Sequence, residues 1–292
     1  MQFKIVTDSS CNLNDEMIRE FGLHILPLTF MSDGEQYQSY TEGADSDLAS
    51  FFKMMREGKV FTTSLPNIQQ SMTLFKQLLD DGNDVLYIGF SSGLSGTYQS
   101  TAAALDELRS QYPNRKIYHT DTLAAAMGEG LIVYRACMMA REGASIEDVH
   151  AWIEDNKLSV AHWFTVDDLM FLFRGGRVSR TSAWAGTLLN IKPVLHVDEE
   201  GKLVPMEKVR GRKKSLQALA DHLGKSGVKP LEDQEIFISH GDCAEDANYL
   251  VDLIKERYGC TKFFVNTLDP VIGAHAGPGT VALFFMAEQG GR

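Results

Sequence analysis

The decisive stretch of this chain is VLYIGFSSGLSGTY at residues 85–98. Four apolar residues, 85–88, predict a buried strand, and a helix-like run of small residues begins near Ser100. Glycines and hydroxyl side chains lie between the two. Such a turn presents backbone N–H groups at the start of a helix, where an anion is favoured. The segment therefore predicts a strand–turn–helix unit with an anion site.

The same alternation of strand and helix extends outward through the first half of the chain. Strands are predicted at residues 3–7, 23–30, 85–88 and 116–119, and helices at 48–55, 68–79, 97–110 and 123–142. Pro27 predicts that the second strand is broken or lies at an edge. Alternating strands and helices favour a mostly parallel sheet, with ligands at the carboxyl ends of its strands. Asp8, the 91–96 turn and Asp121 would lie there.

The second half of the chain has a different pattern. Strands at 192–197 and 203–209 flank a turn at residues 198–201 and predict a hairpin. A helix at 214–225, a strand at 236–239, a helix at 244–258 and a strand at 262–266 follow. The expected fold class is α/β, with an N-terminal mostly parallel α/β domain at 1–157 and a C-terminal α+β domain at 158–292.

Composition narrows the functional class. The net charge of −11 argues against a general nucleic-acid binder. No apolar run approaches the ~20 residues of a membrane span, and the N-terminus lacks the pattern of a signal peptide. The four cysteines form no C-x-x-C pair, and no cluster has metal-ligand spacing. We expect a cytoplasmic protein without a metal or a cofactor.

Two hydroxyl clusters are candidates for binding an anion. Thr63 and Ser64 precede Pro66, while Ser92 and Ser95 lie in the 91–96 turn. The glycine after Ser95, Gly96, comes one place too early for the G-x-S-x-G hydrolase elbow, and no glycine–lysine pair completes a P-loop. Because neither catalytic motif is complete, the residues favour a site that binds an anion without catalysis. A serine-dependent hydrolase or a small-molecule phosphotransferase using the same anion site stays open as the alternative.

Cationic side chains provide a second group of candidates. His275 lies in a glycine-rich segment, predicted as a loop, where close backbone approach is possible. Arg174, Arg177 and Arg180 lie on one predicted turn, and Arg210 precedes the helix predicted at 214–225. In an acidic protein these patches indicate either a solvated surface or a docking site for a phosphate or an acidic partner.

Six short motifs, in order along nearly the whole chain, resemble those of the DegV family. They are Asp8-Ser9-Ser10, Thr63-Ser64-Leu65-Pro66, SSGLSGTY at 91–98, Asp121-Thr122, FRGGRVS at 173–179 and His275-Ala276-Gly277-Pro278-Gly279. The resemblance implies two α/β domains with a long-chain fatty acid, such as palmitate, stearate or oleate, between them. It also implies the role of fatty-acid-binding subunit of bacterial fatty acid kinase, without catalysis of its own.

The resemblance further implies how the ligand is used. A partner kinase subunit would phosphorylate the bound carboxylate with ATP, giving acyl phosphate for phospholipid synthesis, and lipid exchange would involve transient membrane contact. By position, the carboxylate would bind Thr63 and Ser95, with contributions from Ser64, Ser92, His275 and the backbone of the 92–96 turn. Arg174, Arg177 and Arg210 would contact the headgroup or the kinase.

A long acyl tail requires an apolar tunnel. Sixteen carbons contain about 15 CH2 and CH3 groups, each contributing ~0.8 kcal/mol on burial. The gross gain of ~12 kcal/mol, before the loss of ligand freedom, makes the tail the main source of affinity. The candidates for the tunnel wall are Phe164, Met170, Leu172, Trp184, Leu188, Leu189 and Phe284.

Overall fold

The computed structural model describes residues 3–43, 47–179 and 190–292. The strands are β1 Phe3–Asp8, β2 His24–Leu26, β3 Thr29–Ser32, β4 Glu35–Gln38, β5 Thr62–Ser64, β6 Asp84–Gly89, β7 Ile117–Asp121, β8 Val160–Thr165, β9 Ile191–Val197, β10 Leu203–Arg210, β11 Glu235–His240, β12 Lys262–Thr267 and β13 Val281–Met286. The α-helices are α1 Asp15–Phe21, α2 Leu48–Arg56, α3 Ile68–Asp80, α4 Thr97–Gln111, α5 Met127–Arg141, α6 Ile146–Asn156, α7 Met170–Arg174, α8 Arg212–Ser226, α9 Ala244–Tyr258 and α10 Pro270–Ala276. Short 3-10 turns occupy Ser9–Cys11, Lys157–Ser159 and Leu231–Asp233.

The N-terminal sheet confirms the predicted parallel architecture. Its four strands run in the order β2-β1-β6-β7, and every neighbouring pair is parallel. Successive side chains of β6 point to opposite faces. Val85 and Tyr87 pack in the cluster under α3 and α4, whereas Leu86 and Ile88 pack in the cluster that includes α5. Burial on both faces explains why this strand is apolar throughout.

Pro27 separates two strands of different sheets. β2 is the edge of the parallel sheet, and β3 begins a three-stranded antiparallel sheet in the order β4-β3-β5. The sequence predicted the break but neither β4 nor β5. All four residues of β4 are exposed, so it lacks the alternating apolar pattern that identifies a strand. This small sheet matters because β5 contains Thr63 and Ser64.

The C-terminal half forms a six-stranded mixed sheet in the order β10-β9-β8-β13-β11-β12. The predicted hairpin is confirmed as the antiparallel pair of β9 and β10. The sequence did not predict β13. This strand lies between β8 and β11 and is antiparallel to both. Only β11 and β12 are parallel neighbours. The α+β class predicted for this half is correct.

The glycine-rich segment around His275 is partly helical, so its prediction as a loop was wrong. Asp269 accepts a hydrogen bond from Ile272 N (2.6 Å) and caps α10, whose first residue is a proline. A β-carbon on Gly273 would lie 2.9 Å from Phe52 and 3.0 Å from Phe51 of α2. The glycine therefore permits close packing of α10 on α2, and it does not mark a flexible loop.

Helix α5 joins the two halves. It contacts β6 of the parallel sheet on one side and β8, β11 and β13 of the mixed sheet on the other. Ten of its fifteen residues are buried, as expected for a helix enclosed on all sides. The resulting core cluster is continuous between the halves. The domain boundary at residue 157 stays a prediction. In the described residues, no helix is both long and apolar enough to cross a bilayer.

Candidate ligand-binding site

An apolar cavity lies between the carboxyl ends of the parallel strands and the mixed sheet. It encloses about 1000 Å³ of empty space, including its open mouth. The described lining residues come from both halves of the chain: Ser10, Leu28, Thr63, Ser64, Leu65, Phe90, Leu94, Ser95, Ala125, Ala126, His162, Phe164, Leu172, Arg177, Val197, Leu203, Leu268, Val271, Ile272, His275, Ala276, Thr280, Ala282 and Phe284. A largely apolar pocket with a few polar groups is typical of a small-molecule site.

The two predicted hydroxyl clusters meet at this cavity. Leu65, next to Ser64, packs against Gly96, where a β-carbon would lie 3.5 Å from the leucine side chain. Arg177 adds a bridge from the other half, since its Nε donates to the carbonyl of Leu94 (3.1 Å). Segments remote in sequence thus bring their polar side chains to one region of the wall.

Thr63 and His275 form a hydrogen-bonded pair, with Oγ1 and Nε2 separated by 2.7 Å. Burial, assisted by the positive charge of Arg177, lowers the pKa of His275 to about 4. The ring is therefore neutral at pH 7. When its Nε2–H donates to Thr63, the threonine hydroxyl hydrogen is free to donate to a ligand. The pair can present a hydroxyl donor without placing a full positive charge against the ligand.

Gly175 of the FRGGRVS motif and Gly277, two residues after His275, allow this pair to form. A β-carbon on Gly175 would lie only 2.3 Å from His275 Nδ1, so the ring packs directly on the glycine backbone. Gly277, with φ of +83°, leaves room for Phe171, because a β-carbon there would lie 2.5 Å from that ring. Both glycines therefore serve the packing of α10 against α7.

Ser95 has a similar arrangement with Thr97. Their hydroxyl oxygens are 2.9 Å apart, and Thr97 N donates to Ser95 Oγ (3.3 Å). When Thr97 Oγ1–H donates to Ser95, the serine hydrogen is free to donate into the cavity. Thr97 is fully buried and was not among the predicted site residues. Its position two residues after Ser95 is the signal that could have identified it.

The backbone of the 92–96 turn is not the open anion cradle that the sequence predicted. Ser92 N donates to Asp121 Oδ1 (3.2 Å) and Gly93 N to Ser91 Oγ (3.1 Å). The N–H groups of Leu94 and Ser95 both donate to Ser91 O at 3.1 Å. Because four of the five N–H groups of this turn already have acceptors inside the protein, the side-chain hydroxyls are the main groups left to bind a ligand.

The other predicted site residues divide into two groups. Ser64 and Arg177 line the cavity with Thr63, Ser95 and His275, but Ser92, Arg174 and Arg210 do not. Ser92 is placed by the bond to Asp121, and Arg174 lines a neighbouring cavity. Arg210 is an exposed residue at the end of the edge strand β10 and lines neither cavity.

The residues predicted to bind the acyl tail also fall into those that line the cavity and those that do not. Phe164, Leu172 and Phe284 line the cavity, each on the second half of the chain. Met170 does not line it, and this side chain is 45% exposed. Three candidates, Trp184, Leu188 and Leu189, lie outside the described residues, as does Arg180.

His162 is a wall residue that sequence reasoning missed. Its Nδ1–H donates to Val160 O (2.9 Å), and its Nε2 accepts from Ala125 N (3.1 Å). Burial lowers its pKa well below the usual value of 6.5, so the imidazole is neutral. With both nitrogens bonded to backbone, His162 offers the cavity mainly its apolar ring. Nothing in the local sequence distinguishes it from a ligand-binding histidine.

A second serine turn, at Ser9–Cys11 after β1, also reaches the cavity. Ser10 lines the cavity, but its hydroxyl contacts two buried carboxyls, Asp8 and Glu129. Asp8 also accepts from Tyr87 Oη (3.2 Å) and Phe90 N (3.1 Å). Burial raises the pKa of Asp8, and burial together with the charge of Asp8 raises the pKa of Glu129 well above its usual value.

The arrangement around Ser95 does not match that of a catalytic nucleophile. Its hydroxyl partner is Thr97, and in the described part of the chain no histidine or carboxylate is hydrogen-bonded to it. The site histidine pairs with Thr63. A serine nucleophile needs an adjacent general base. No group of three metal-binding side chains occurs among residues 3–43, 47–179 and 190–292.

A sequence profile of the DegV family, described as uncharacterised protein, DegV family COG1307, matches residues 2–288. A DegV domain-containing protein of Clostridium perfringens is 41% identical over 289 residues, covering 98% of each chain. Protein DegV of Bacillus subtilis is 32% identical over 285 residues, covering 97% of this chain and 98% of its own.

Solved structures have the same fold. The crystal structure of DegV, a fatty acid binding protein from Bacillus subtilis, superposes with a TM-score of 0.84 at 31% identity and covers 99% of this chain and 100% of its own. A DegV family protein from Thermus thermophilus, described by its fatty acid binding, has a TM-score of 0.86 at 29% identity and the same coverage of both chains.

Proposed function

This chain belongs to the DegV family, and from that membership and the geometry of the cavity we propose that it binds a long-chain fatty acid. The acyl tail occupies the apolar cavity, and the carboxylate contacts the hydroxyls of Thr63 and Ser95. One observation carries the proposal. Both hydroxyls lie on the wall of the same largely apolar cavity, and each is hydrogen-bonded to a second side chain that can orient it.

The wall suits an acyl chain. Phe164, Leu172 and Phe284 provide apolar surface from three elements of the second half, while Phe90 and Leu94 provide it from the first. Burial of ~15 methylene and methyl groups gives a gross gain of ~12 kcal/mol, which exceeds what any pair of hydrogen bonds supplies. Palmitate, stearate and oleate are the ligands that we propose from membership of the family.

The headgroup site suits a carboxylate that must stay reactive. Hydrogen bonds to a charged group contribute ~1.5–3 kcal/mol each and offset the cost of removing the carboxylate from water. Thr63 and Ser95 can each donate one such bond, backed by His275 and Thr97. Two neutral hydroxyls neutralise the carboxylate less than a bidentate arginine fork would, so its oxygens keep their nucleophilicity.

We propose further that the protein presents this carboxylate to a partner kinase subunit and supplies no catalysis of its own. A carboxylate oxygen attacks the γ-phosphorus of ATP bound to the kinase. The new O–P bond forms as the bond to ADP breaks, which yields acyl phosphate and ADP. The acyl phosphate then serves phospholipid synthesis. In this proposal the protein acts in the cytoplasm without a cofactor and exchanges lipid during transient membrane contact.

Lipid analysis of the purified protein tests the first part. We expect organic extraction followed by mass spectrometry to yield fatty acids of about sixteen to eighteen carbons in near-stoichiometric amount. A preparation that contains none, and that takes up none after delipidation, would overturn the proposal.

Incubation with a fatty acid kinase catalytic subunit and ATP tests the second part. We expect acyl phosphate, trapped as the hydroxamate, only when both proteins are present. Formation of acyl phosphate by this chain alone would contradict the absence of catalysis, and fatty acid binding without kinase coupling would indicate a lipid-sensing regulator.

A further inference from the structure

Three carboxyl groups, those of Asp8, Glu129 and Asp269, lie buried together on one side of the cavity and form a carboxyl cluster. The hydroxyl of Ser10, a wall residue, contacts both Asp8 and Glu129. Burial, and then the charge of Asp8, raises the pKa of Asp269. Burial, with the charges of Asp8 and Asp269, raises the pKa of Glu129. The ionisation of each member therefore depends on that of the others.

Asp269 is the member of the cluster whose hydrogen bonding is incomplete. Its Oδ1 accepts from Ile272 N (2.6 Å), whereas its buried Oδ2 has no hydrogen-bond partner in the part of the chain that the structure describes. Leu268 and Val271, on either side of it in the chain, both line the cavity. A buried carboxylate oxygen without a donor is costly, and binding of a proton removes the charge.

The protein around the cluster supplies no counter-ion. In residues 3–43, 47–179 and 190–292, no Lys, Arg or His side chain forms a salt bridge with its members. Among the elements packed against α10, β3 and β5 carry no charged residue, and α2 and α7 carry only Lys53, Arg56 and Arg174. Arg56 pairs instead with Asp242.

The other ionisable groups near the cluster are not cations. Burial raises the pKa of Tyr87 and of Cys11 well above their usual values, and it lowers the pKa of His240 at the end of β11. All three are therefore neutral at pH 7. Proton binding is the remaining way to remove negative charge from the cluster.

Helix α10 connects Asp269 to the proposed headgroup site. Asp269 caps this helix, and His275, the partner of Thr63, lies six positions further along it. Six residues at 1.5 Å each correspond to about 9 Å along the helix axis. At an effective dielectric constant of about 20, two like charges at this separation change proton binding by roughly tenfold. A carboxylate bound at Thr63 would therefore favour the protonated form of Asp269.

We propose that Asp269 is a proton-binding site linked to the ligand, so that the cavity takes up a fatty acid anion and a proton together. This inference rests on the proposed function, because the charge of the ligand drives the linkage. When the ligand arrives as the neutral acid, its O–H bond breaks, the carboxylate stays at Thr63 and Ser95, and Asp269 gains a proton. Binding then adds no net charge to the cavity.

The linkage has a defined pH range. Burial raises the pKa of Asp269 to about 7, so without ligand the group is largely ionised at pH 8. The ligand anion raises this pKa further, so binding takes up protons and weakens as pH rises above 7. The ionisation of a free fatty acid has the opposite effect, because it supplies more of the anion as pH rises.

Calorimetry of the delipidated full chain tests the linkage. Palmitate is titrated at pH 7.5 in phosphate and in Tris, whose ionisation enthalpies differ, and the difference in heat gives the number of protons bound. We expect wild type to take up about half a proton per palmitate, and its dissociation constant to rise about sixfold from pH 6.5 to pH 8.5. Asp269→Asn should show neither effect.

The matched control is Asp252→Asn, a change at an exposed carboxylate of α9, which should behave as wild type. Palmitate binding by wild type without proton uptake would overturn the linkage and leave the proposed function intact. Proton uptake that persists in Asp269→Asn would assign the proton to another group, such as His275, and would also overturn the inference. Failure of wild type to bind palmitate would overturn the proposed function itself.

Discussion

Two serine-rich turns leave the parallel sheet at its carboxyl edge, one after β1 and one after β6, and both reach the same cavity. In the first turn the Ser10 hydroxyl is bonded to the buried carboxyls of Asp8 and Glu129. In the second turn the Ser95 hydroxyl is bonded to another hydroxyl, that of Thr97. A carboxylate can only accept, so the serine O–H donates its hydrogen bond to it. A hydroxyl partner can itself donate, which leaves the serine O–H free to donate elsewhere. The neighbouring side chain therefore decides whether the serine O–H is engaged within the fold or is available to a ligand.

The largest expected effect comes from removing the acceptor of the first turn. Asp8→Ala leaves Ser10 N, Tyr87 Oη and Phe90 N without their buried acceptor, while Ser10 Oγ keeps its bond to Glu129. Each unsatisfied donor costs ~1–3 kcal/mol, so the free energy of unfolding should fall by about 4 kcal/mol. Urea denaturation measures the loss.

The exposed residue Asp252 of α9 provides the control for that experiment. Asp252→Ala should change the free energy of unfolding by less than ~0.5 kcal/mol. A loss below ~1 kcal/mol for Asp8→Ala would show that the hydrogen bonds of Asp8 contribute little to the stability of the fold.

The second prediction concerns Asp269, a buried carboxyl whose pKa is raised by the charge of Asp8 and whose own charge raises the pKa of Glu129. Burial, with a smaller contribution from the charge of Asp8, raises the pKa of Asp269 from 3.8 to about 7. Between these values the folded state binds more protons than the unfolded state, so stability falls as pH rises through this range. Asp269→Asn keeps a cap acceptor for Ile272 N and removes the ionisation.

The free energy of unfolding of Asp269→Asn, relative to that of wild type, should therefore increase between pH 5 and pH 8. The expected increase is roughly 3 kcal/mol, because the wild-type carboxyl stays protonated in the folded state over about two pH units of this range. Thermal unfolding at both pH values measures the difference. A constant difference between the two proteins would show that Asp269 does not change its ionisation in the folded state across this range.

The third prediction tests the binding role of the second turn. Thr63→Ala/Ser95→Ala removes both proposed carboxylate donors, each contributing ~1.5 kcal/mol at the lower end of the range for a charged acceptor, so the dissociation constant for palmitate should rise about 150-fold. The tail contacts are unchanged, so binding should weaken without being abolished. Calorimetric titration of the delipidated protein measures the constant.

The matched control is Thr73→Ala/Ser110→Ala, which removes two exposed helical hydroxyls that bond to backbone carbonyls. It should bind palmitate as wild type does. Equal affinity in both double variants would remove Thr63 and Ser95 from the proposed headgroup site.

The smallest expected effect belongs to Thr97, which acts through Ser95. Thr97→Val is nearly isosteric and removes the hydroxyl that orients Ser95. We expect about a threefold rise in the palmitate dissociation constant, ~0.7 kcal/mol. Thr97→Ser, which restores a hydroxyl, should recover wild-type affinity. Equal palmitate affinity in Thr97→Val and wild type would show that the Thr97 hydroxyl does not act on the headgroup site.

Much of the fold could be predicted from the sequence because its signals are local. The apolar run of β6, the proline after β2 and the hairpin of β9 and β10 each predict structure within a few residues. Elements with weak local signals were missed. β4 is fully exposed and polar, and α10 contains glycines that resemble a loop until Gly273 is seen against Phe51 and Phe52.

The site could be predicted less completely. Thr63, Ser64, Ser95 and His275 line the cavity as expected, because motifs at the carboxyl edge of a parallel sheet converge. Ser92 lies in the same turn as Ser95, yet it does not line the cavity. Sequence alone does not reveal which way each hydroxyl of a turn points.

The sequence by itself determined most of the strands and helices, the family, and the two hydroxyl clusters at one edge of a sheet. These follow from short-range periodicity and from motifs of a few residues. Only the tertiary structure decided which hydroxyls of a turn line the cavity and how His275 loses its charge. Thr63 and His275 are 212 residues apart in the chain. Their hydrogen bond, and the burial that lowers the pKa of the histidine, depend on packing between distant segments.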